Sequence, residues 1–307
     1  MLYTLARRLG QAVIVLLAVA LLLFVMLRIV PGNPVTTMMG EHADTETINR
    51  MTEELGLDQP ILVQFRKYIL GALSGDFGTS YTLKKPVAAL MGAALGNTVK
   101  LAVFAALFAW VTGILCGILA AVRKNSIPDR LFMGFSLLGV SMPVFITAMV
   151  LQYVFGYLLR WFPISGADGW ASFILPAIAL GWNSAGSIAR LVRSTLLEVL
   201  EEDYIDTARA KGQRPLGILI RHALRNAMLP VITMMAIQFS GLLSGAVITE
   251  TVFSINGIGQ LTVQAISGRD IPLMQGTVLF AVSIVILGNL AADSLYSVLN
   301  PRIRKGG

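Results

Sequence analysis

The chain has 307 residues, of which 55% are hydrophobic and only 13% charged. Soluble domains carry about 25% charged residues, so a soluble globule is excluded. A disordered chain is excluded too, because such chains are poor in apolar residues and rich in charge. One cysteine, Cys116, and two histidines, His42 and His222, rule out a disulfide framework and leave too few ligands for a Cys/His metal cluster. The mean hydropathy of +0.73 marks an integral membrane protein. In that class a net charge of +7 reflects cationic cytoplasmic loops rather than nucleic-acid binding.

A membrane-crossing helix needs about 20 mostly apolar residues, and six runs qualify. The first is Leu9–Ile29. Arg7 and Arg8 before it resemble the head of a cleaved signal peptide, but the apolar run exceeds a typical signal core, so a retained helix is expected. After a polar excursion come Leu101–Val122, with Gly113 and Gly117 spaced for close helix packing, and the long run Leu131–Leu159, where Pro143 predicts a kink or a tilt. Ala171–Ala189 carries Pro176 and Asn183, Met228–Thr249 has Pro230 in its first turn, and Leu273–Leu299 holds Asn289 and Asp293. The expected organisation is an all-α membrane protein: an N-terminal helix over 1–30, an extracytoplasmic segment over 31–97, a five-helix core over 98–300 and a tail over 301–307.

Six spans put both ends on one side. With the N-terminus inside, the inner segments 1–8, 123–130, 190–227 and 301–307 carry 15 of the 24 Lys and Arg residues. The positive-inside rule therefore predicts cytoplasmic termini. The outer excursion reads as a helix over Thr45–Leu55, a stop at Gly56–Pro60 and a turn-rich stretch at Gly75–Ser80. Polar residues inside the spans, Gln152, Asn183, Gln238, Ser244, Asn289 and Asp293, are either parts of a solute pathway or interhelical hydrogen-bonding groups.

The inner segment 190–227 is the most informative. Leu197, Leu200, Tyr204 and Ala208 recur at helical steps and predict one apolar face from Thr195 onward. Acidic residues from Glu198 to Asp203 precede Arg209 and Lys211, an order that complements the helix dipole. Gly212 is placed to cap this helix, and Pro215 to open a second over about Leu216–Arg225. An exposed tip near Gly212–Pro215 can lie among lipid headgroups or fit a groove on a cytoplasmic partner. Neither histidine has companions for metal binding, and no Ser/His/Asp or paired-carboxylate group sits at membrane depth.

Asp206-Thr207-Ala208-Arg209-Ala210-Lys211-Gly212 resembles the EAA loop of binding-protein-dependent ABC importer permeases, whose pattern is Glu-Ala-Ala, three residues, then Gly. Asp206, Thr207 and the stretch His222-Ala223-Leu224-Arg225 depart from the general pattern, but are similar to the dipeptide/oligopeptide/nickel branch. The resemblance covers essentially the whole chain. Its other marks are Pro31–Pro34, Gly56–Pro60, Gly75–Ser80, Glu250–Phe253, Gly257–Gly259, Arg269–Pro272 and Asn300–Arg304, with Asn33, Asn256 and Asn300 standing where that branch more often has Asp, Pro and Asp.

What the resemblance implies is a type I ABC importer permease in a bacterial or archaeal inner membrane. It would pair with a second homologous permease, usually as a heterodimer, two cytoplasmic ATPases and an extracytoplasmic solute-binding protein. Asp206, Thr207, Ala208, Arg209, Lys211, Gly212 and His222 would form the ATPase-coupling loop. The chain has no Gly-x4-Gly-Lys-Ser/Thr, so ATP and Mg would be bound by the partner ATPases, with no cofactor or catalytic site here. The implied cargo is a small peptide, with nickel or a metal chelate as the alternative. The rival classes are an intramembrane enzyme and an ATP-independent carrier, which usually shows paired repeats with broken helices; no such repeat is evident.

Overall fold

The computed structural model describes residues 2–29, 45–54, 56 and 58–299, and the regular structure among them is helical apart from one isolated bridge, Thr79 to Pro86. The expected motifs at Pro31–Pro34 and Asn300–Arg304, the tail 301–307 and His42 lie outside the described residues. In chain order the helices are α1 (Leu2–Ile29), α2 (Thr45–Glu54), α3 (Ile61–Ser74), α4 (Val87–Val122), α5 (Ile127–Ser141), α6 (Val144–Leu151), α7 (Ile174–Leu200), α8 (Asp203–Ala210), α9 (Pro215–Ile218), α10 (Leu224–Val252), α11 (Ile258–Ser267) and α12 (Ile271–Leu299). Among the described residues five helices are long and apolar enough to cross a membrane, and six if the bent pair α5–α6 counts as one span.

That pair realises the kink expected at Pro143, at 110°. Met142 and Pro143 take extended backbone angles, and the helix resumes only at Val144. A wide π-type stretch over Gln152–Leu158 continues α6. Helices α3 and α11 are not among the expected elements, and other helices depart from their expected bounds. α4 begins at Val87 rather than Leu101, because Val87–Gly96 is rich in Ala, Leu and Met, good helix formers that hydropathy alone left outside the span. α7 runs on to Leu200, so Thr195 lies mid-helix. The chain from Pro215 passes through a π-type turn at Leu219–Ala223 directly into α10, without stopping at Arg225.

The chain forms two compact units, Met1–Thr98 with Asn256–Ile286, and Val99–Ile255 with Leu287–Gly307. In the first, Phe24 of α1 meets Phe65 edge-on and stacks on Tyr68 of α3, with ring centroids 5.2 and 6.1 Å apart. Burial pushes the Tyr68 phenol up to about 12. α3 ends at Gly75, whose left-handed φ of 79° lets Gly75 N–H and Asp76 N–H donate back to Ala72 and Gly71 carbonyls. Val87, Met91 and Ala94, one face of α4, form a core with Ile258, Leu261, Ala265 and Leu273.

In the second unit α7 is held between α4 and α5 by glycines. A Cβ on Gly113 would stand 2.8 Å from the Ala185 carbonyl oxygen, and one on Gly117 2.6 Å from that of Ala189. Gly181 approaches the Ala105 carbonyl in the same way, and Gly186 that of Ser136. Without side chains at these points the backbones come close enough for dispersion to hold them, which is how helices associate in lipid.

Candidate functional site

The connection between α7 and α10 is built on the end of α7. Glu201 and Glu202 break the helix, Glu202 turning extended at ψ 145°, and α8 restarts at Asp203. This restart rotates the register. Ile205 and Ala208 are the buried face of α8, and Tyr204, expected on the apolar side, is 40% exposed. Its hydroxyl instead accepts from Asn226 Nδ2 at 2.8 Å. Ile205 and Ala208 join Leu196, Ile218, Ala223, Ala227 and Ala121 in one small core, so α8, α9 and the end of α7 are a single packed piece.

Gly212 caps α8 as expected. At φ 74° its N–H donates to Arg209 O (2.9 Å) and Gln213 N–H to Ala208 O (3.3 Å), the paired closure that a left-handed residue permits. Pro215 follows at the first position of α9. Gln213 Oε1 and His222 Nε2 lie 2.9 Å apart, tying the tip to its returning limb. Arg209 donates to Asp206 at 2.8 Å and to the Leu200 carbonyl at 3.4 Å. Asp206, Thr207, Arg209, Lys211 and Gly212 are all exposed, Ala208 is buried and His222 half-buried. A Cβ at Gly212 would meet nothing within 4 Å. Beside this piece lies an open cleft of about 450 Å³ lined by Lys124, Leu197, Glu201, Asp206 and Arg209 among others.

Sequence reading missed an ion pair just behind this piece. Arg193 of α7 donates through Nε and Nη2 to the two carboxylate oxygens of Asp129, each at 2.7 Å. Asp129 is 4% exposed and also accepts from Asn125 N–H at 2.9 Å. It sits in the first turn of α5, where Ser126 Oγ caps the helix by accepting from Asp129 N–H. The Ser126-x-x-Asp129 spacing is a helix-start signal that could have flagged this end; nothing local could have named Arg193.

The polar residues of the spans divide. Gln152 Nε2 donates to the carbonyls of Ile164 (2.9 Å) and Val252 (3.2 Å), and Asn183 Nδ2 to that of Val140 (3.3 Å). Gln238 Oε1 is buried without a hydrogen-bond partner. Asn289 is exposed, and the side chains of Ser244 and Asp293 lie outside the described residues. Among the described residues no group of three or more His, Cys, Asp or Glu side chains could hold a metal ion.

In the first unit, two of the sequence motifs meet. The fully buried Asp270 accepts through Oδ2 from Ser80 Oγ (2.5 Å), Thr82 N–H (2.9 Å) and Thr82 Oγ1 (2.8 Å). Its Oδ1 caps α12 by accepting from Leu273 N–H at 3.2 Å. Burial pushes the Asp270 carboxyl up, but the donors from Ser80, Thr82 and the Tyr81 backbone outweigh it and hold the group below the ordinary aspartate value. Ile258 N–H donates to Thr98 Oγ1 at 2.8 Å, fixing the start of α11 after Gly257.

Against known proteins the chain matches two family descriptions. Residues 1–102 match the N-terminal part of the binding-protein-dependent transport system membrane component, and residues 113–305 match the binding-protein-dependent transport system inner membrane component. It is 42% identical over 302 residues to the glutathione transport system permease protein GsiC of Salmonella paratyphi A, covering 98% of each chain, and 41% identical over the same length to that of Escherichia coli. Among solved structures it resembles the inward-facing MetNI methionine ABC transporter at TM-score 0.59 and 21% identity, over 69% of this chain and 96% of that one, a likeness of fold. The apolar helices, the helical connection at Asp203–Ala223 and these matches lead to one assignment: the chain belongs to the binding-protein-dependent transport system inner membrane components, as a multi-pass permease subunit of an ABC importer.

Proposed function

We propose that this permease imports a small peptide, of which glutathione is the first choice, and that the connection from Asp203 to Ala223 is the contact through which partner ATPases drive it. Two relatives with full-length similarity are named for glutathione transport, which favours a peptide over nickel or a metal chelate. The partners are a second permease, two cytoplasmic ATPases that bind the ATP and Mg, and an extracytoplasmic solute-binding protein. Both termini are cytoplasmic, as the excess of arginine and lysine on that side supports. The segment over 31–97 then faces the binding protein. Of the pathway residues, Gln238 is the strongest, since its buried carbonyl oxygen has no partner and can accept from a passing amide.

One observation carries the coupling role. Gly212 stands at the tip of a packed, charged projection, and a side chain added there meets nothing within 4 Å of its own chain. A change at Gly212 therefore acts on whatever docks against the tip. Left-handed geometry costs a non-glycine residue about 1–2 kcal/mol, which Gly212→Ala and Gly212→Trp share. In proteoliposomes holding the full complex, Gly212→Ala should import glutathione at close to the native rate, because that strain is small against a total stability of about 5–15 kcal/mol. Gly212→Trp should abolish both import and binding-protein-stimulated ATP hydrolysis while the subunits still copurify. Import without any ATPase subunit sinks the reading in favour of an ion-coupled carrier.

A further inference from the structure

We propose that the Asp129–Arg193 pair is the tie through which movement of the cytoplasmic connection reaches the bent span α5–α6, which makes both residues positioning residues for transport. The proposal rests on the importer reading above.

Three observations lead there. The first is placement: Arg193 lies about two turns before α7 ends at Leu200, where the coupling piece begins, and Asp129 lies in the first turn of α5. Motion of α8 is passed to α7 through their shared core of Leu196, Ile205 and Ala208. From α7 it can reach α6 through their shared apolar core of Ala148, Leu175 and Leu180, and it reaches the start of α5, the helix that leads to the 110° bend, at Asp129.

The second is the character of the contacts between α5 and α7. Towards the bend they are close but carry no charged anchor: Trp182 stacks on Phe135 at 4.7 Å and covers Gly139, and Gly186 lies on the Ser136 backbone. The hydrogen bond from Asn183 to the Val140 carbonyl is long, at 3.3 Å. The Arg193–Asp129 contact is two-pronged, at 2.7 Å on both prongs. Such paired charge-assisted hydrogen bonds fix direction as well as distance. The neighbouring Lys124–Glu201 pair is open to solvent at 49% and 71% exposure and so contributes little.

The third is chemical. Asp129 is buried and the Arg193 side chain is 27% exposed. An ion pair withdrawn this far from water is rarely more stabilising than a packed apolar pair of similar size, and its best-attested use is to specify register or to switch. Here both oxygens of Asp129 are engaged, by Arg193 and by the Asn125 N–H. The arrangement locks one register of α7 against the start of α5, which is what a rigid transmission needs.

The test uses the complete complex in proteoliposomes and reads the number of ATP molecules hydrolysed per solute imported. Arg193→Gln, and the double variant Asp129→Leu with Arg193→Met, which fills the space with apolar atoms, should assemble and hydrolyse ATP while this ratio rises about tenfold, the upper range for mutations along a coupling route. Arg193→Lys keeps the charge but loses the fork, and should raise the ratio about threefold; it keeps the test usable if a neutral variant does not assemble. A native ratio in the double variant or in Arg193→Lys overturns the proposal. So does a parallel fall of import and hydrolysis at constant ratio, which marks a structural role alone. No ATP-dependent import by the native complex overturns instead the importer reading beneath it.

Discussion

Replacing Gly117 by leucine is expected to remove the folded permease from the membrane. A Cβ at Gly117 would lie 2.6 Å from both the Ala189 carbonyl oxygen and the Val192 Cβ. The first of these is backbone and cannot rotate away, so α4 and α7 must separate along this stretch. Separation forfeits the close contacts at Gly113 and Gly181 as well, because all three lie on the same pair of helices. Overpacking of this kind costs about 3 kcal/mol or more, against a total stability of about 5–15 kcal/mol. Gly134 of α5 is the matched control: a Cβ there meets nothing within 4 Å and the position is exposed. Detergent-solubilised protein measured by size exclusion and thermal unfolding should show Gly134→Leu near native and Gly117→Leu aggregated or absent.

A comparable loss, in the other unit, is expected for Asp270→Ala. That change leaves Ser80 Oγ, Thr82 N–H, Thr82 Oγ1 and Leu273 N–H without their shared acceptor. Each buried donor left without an acceptor costs about 1–3 kcal/mol, and the stretch 78–83 should become open to protease. Asp270→Asn keeps the shape but turns an amide toward three donors, and should recover less than half of the loss. The pH dependence follows from the direction of the shift. The folded carboxyl lies below its ordinary value, so its contribution is fully present above about 3.9 and is lost as pH falls through the folded value. The stability gap between native protein and Asp270→Asn should be flat from about pH 5 to 8 and shrink below about 4. A gap that instead changes around neutrality would show that Asp270 is not the group responsible.

Much of the fold is legible in the sequence, for reasons that differ by element. The spans follow from hydropathy, the bend follows from Pro143, and the tip follows from Gly212 and Pro215, whose backbone preferences are local. The break at Glu201–Glu202 was not legible, because Leu197, Leu200, Tyr204 and Ala208 keep a helical spacing across it. Only packing of Ile205 against Leu196 and Ala223 reveals the changed register. The early start of α4 was hidden by Asn97 and Lys100, which interrupt the apolar run without interrupting the helix. Asp129 and Arg193 are 64 residues apart and read singly as ordinary cytoplasmic charges. Ser80 and Asp270 each fell in a motif noted on its own, and no spacing rule joins groups 190 residues apart.

That last separation has a consequence for biogenesis. The unit containing Val99–Ile255 is nearly continuous in the chain, whereas its counterpart needs residues from both Met1–Thr98 and Asn256–Ile286. Ser80 and Thr82 leave the ribosome long before their acceptor exists. At about 5–20 residues per second the 190 intervening residues take roughly 10–40 s to synthesise. During that interval the hydroxyls of Ser80 and Thr82 have only water or transient helpers to satisfy them, while the contiguous unit can already be assembling. Truncation before Asp270, by a premature stop or a stalled ribosome, therefore leaves Ser80 and Thr82 without their acceptor and their unit unclosed, a state that a quality-control protease can recognise.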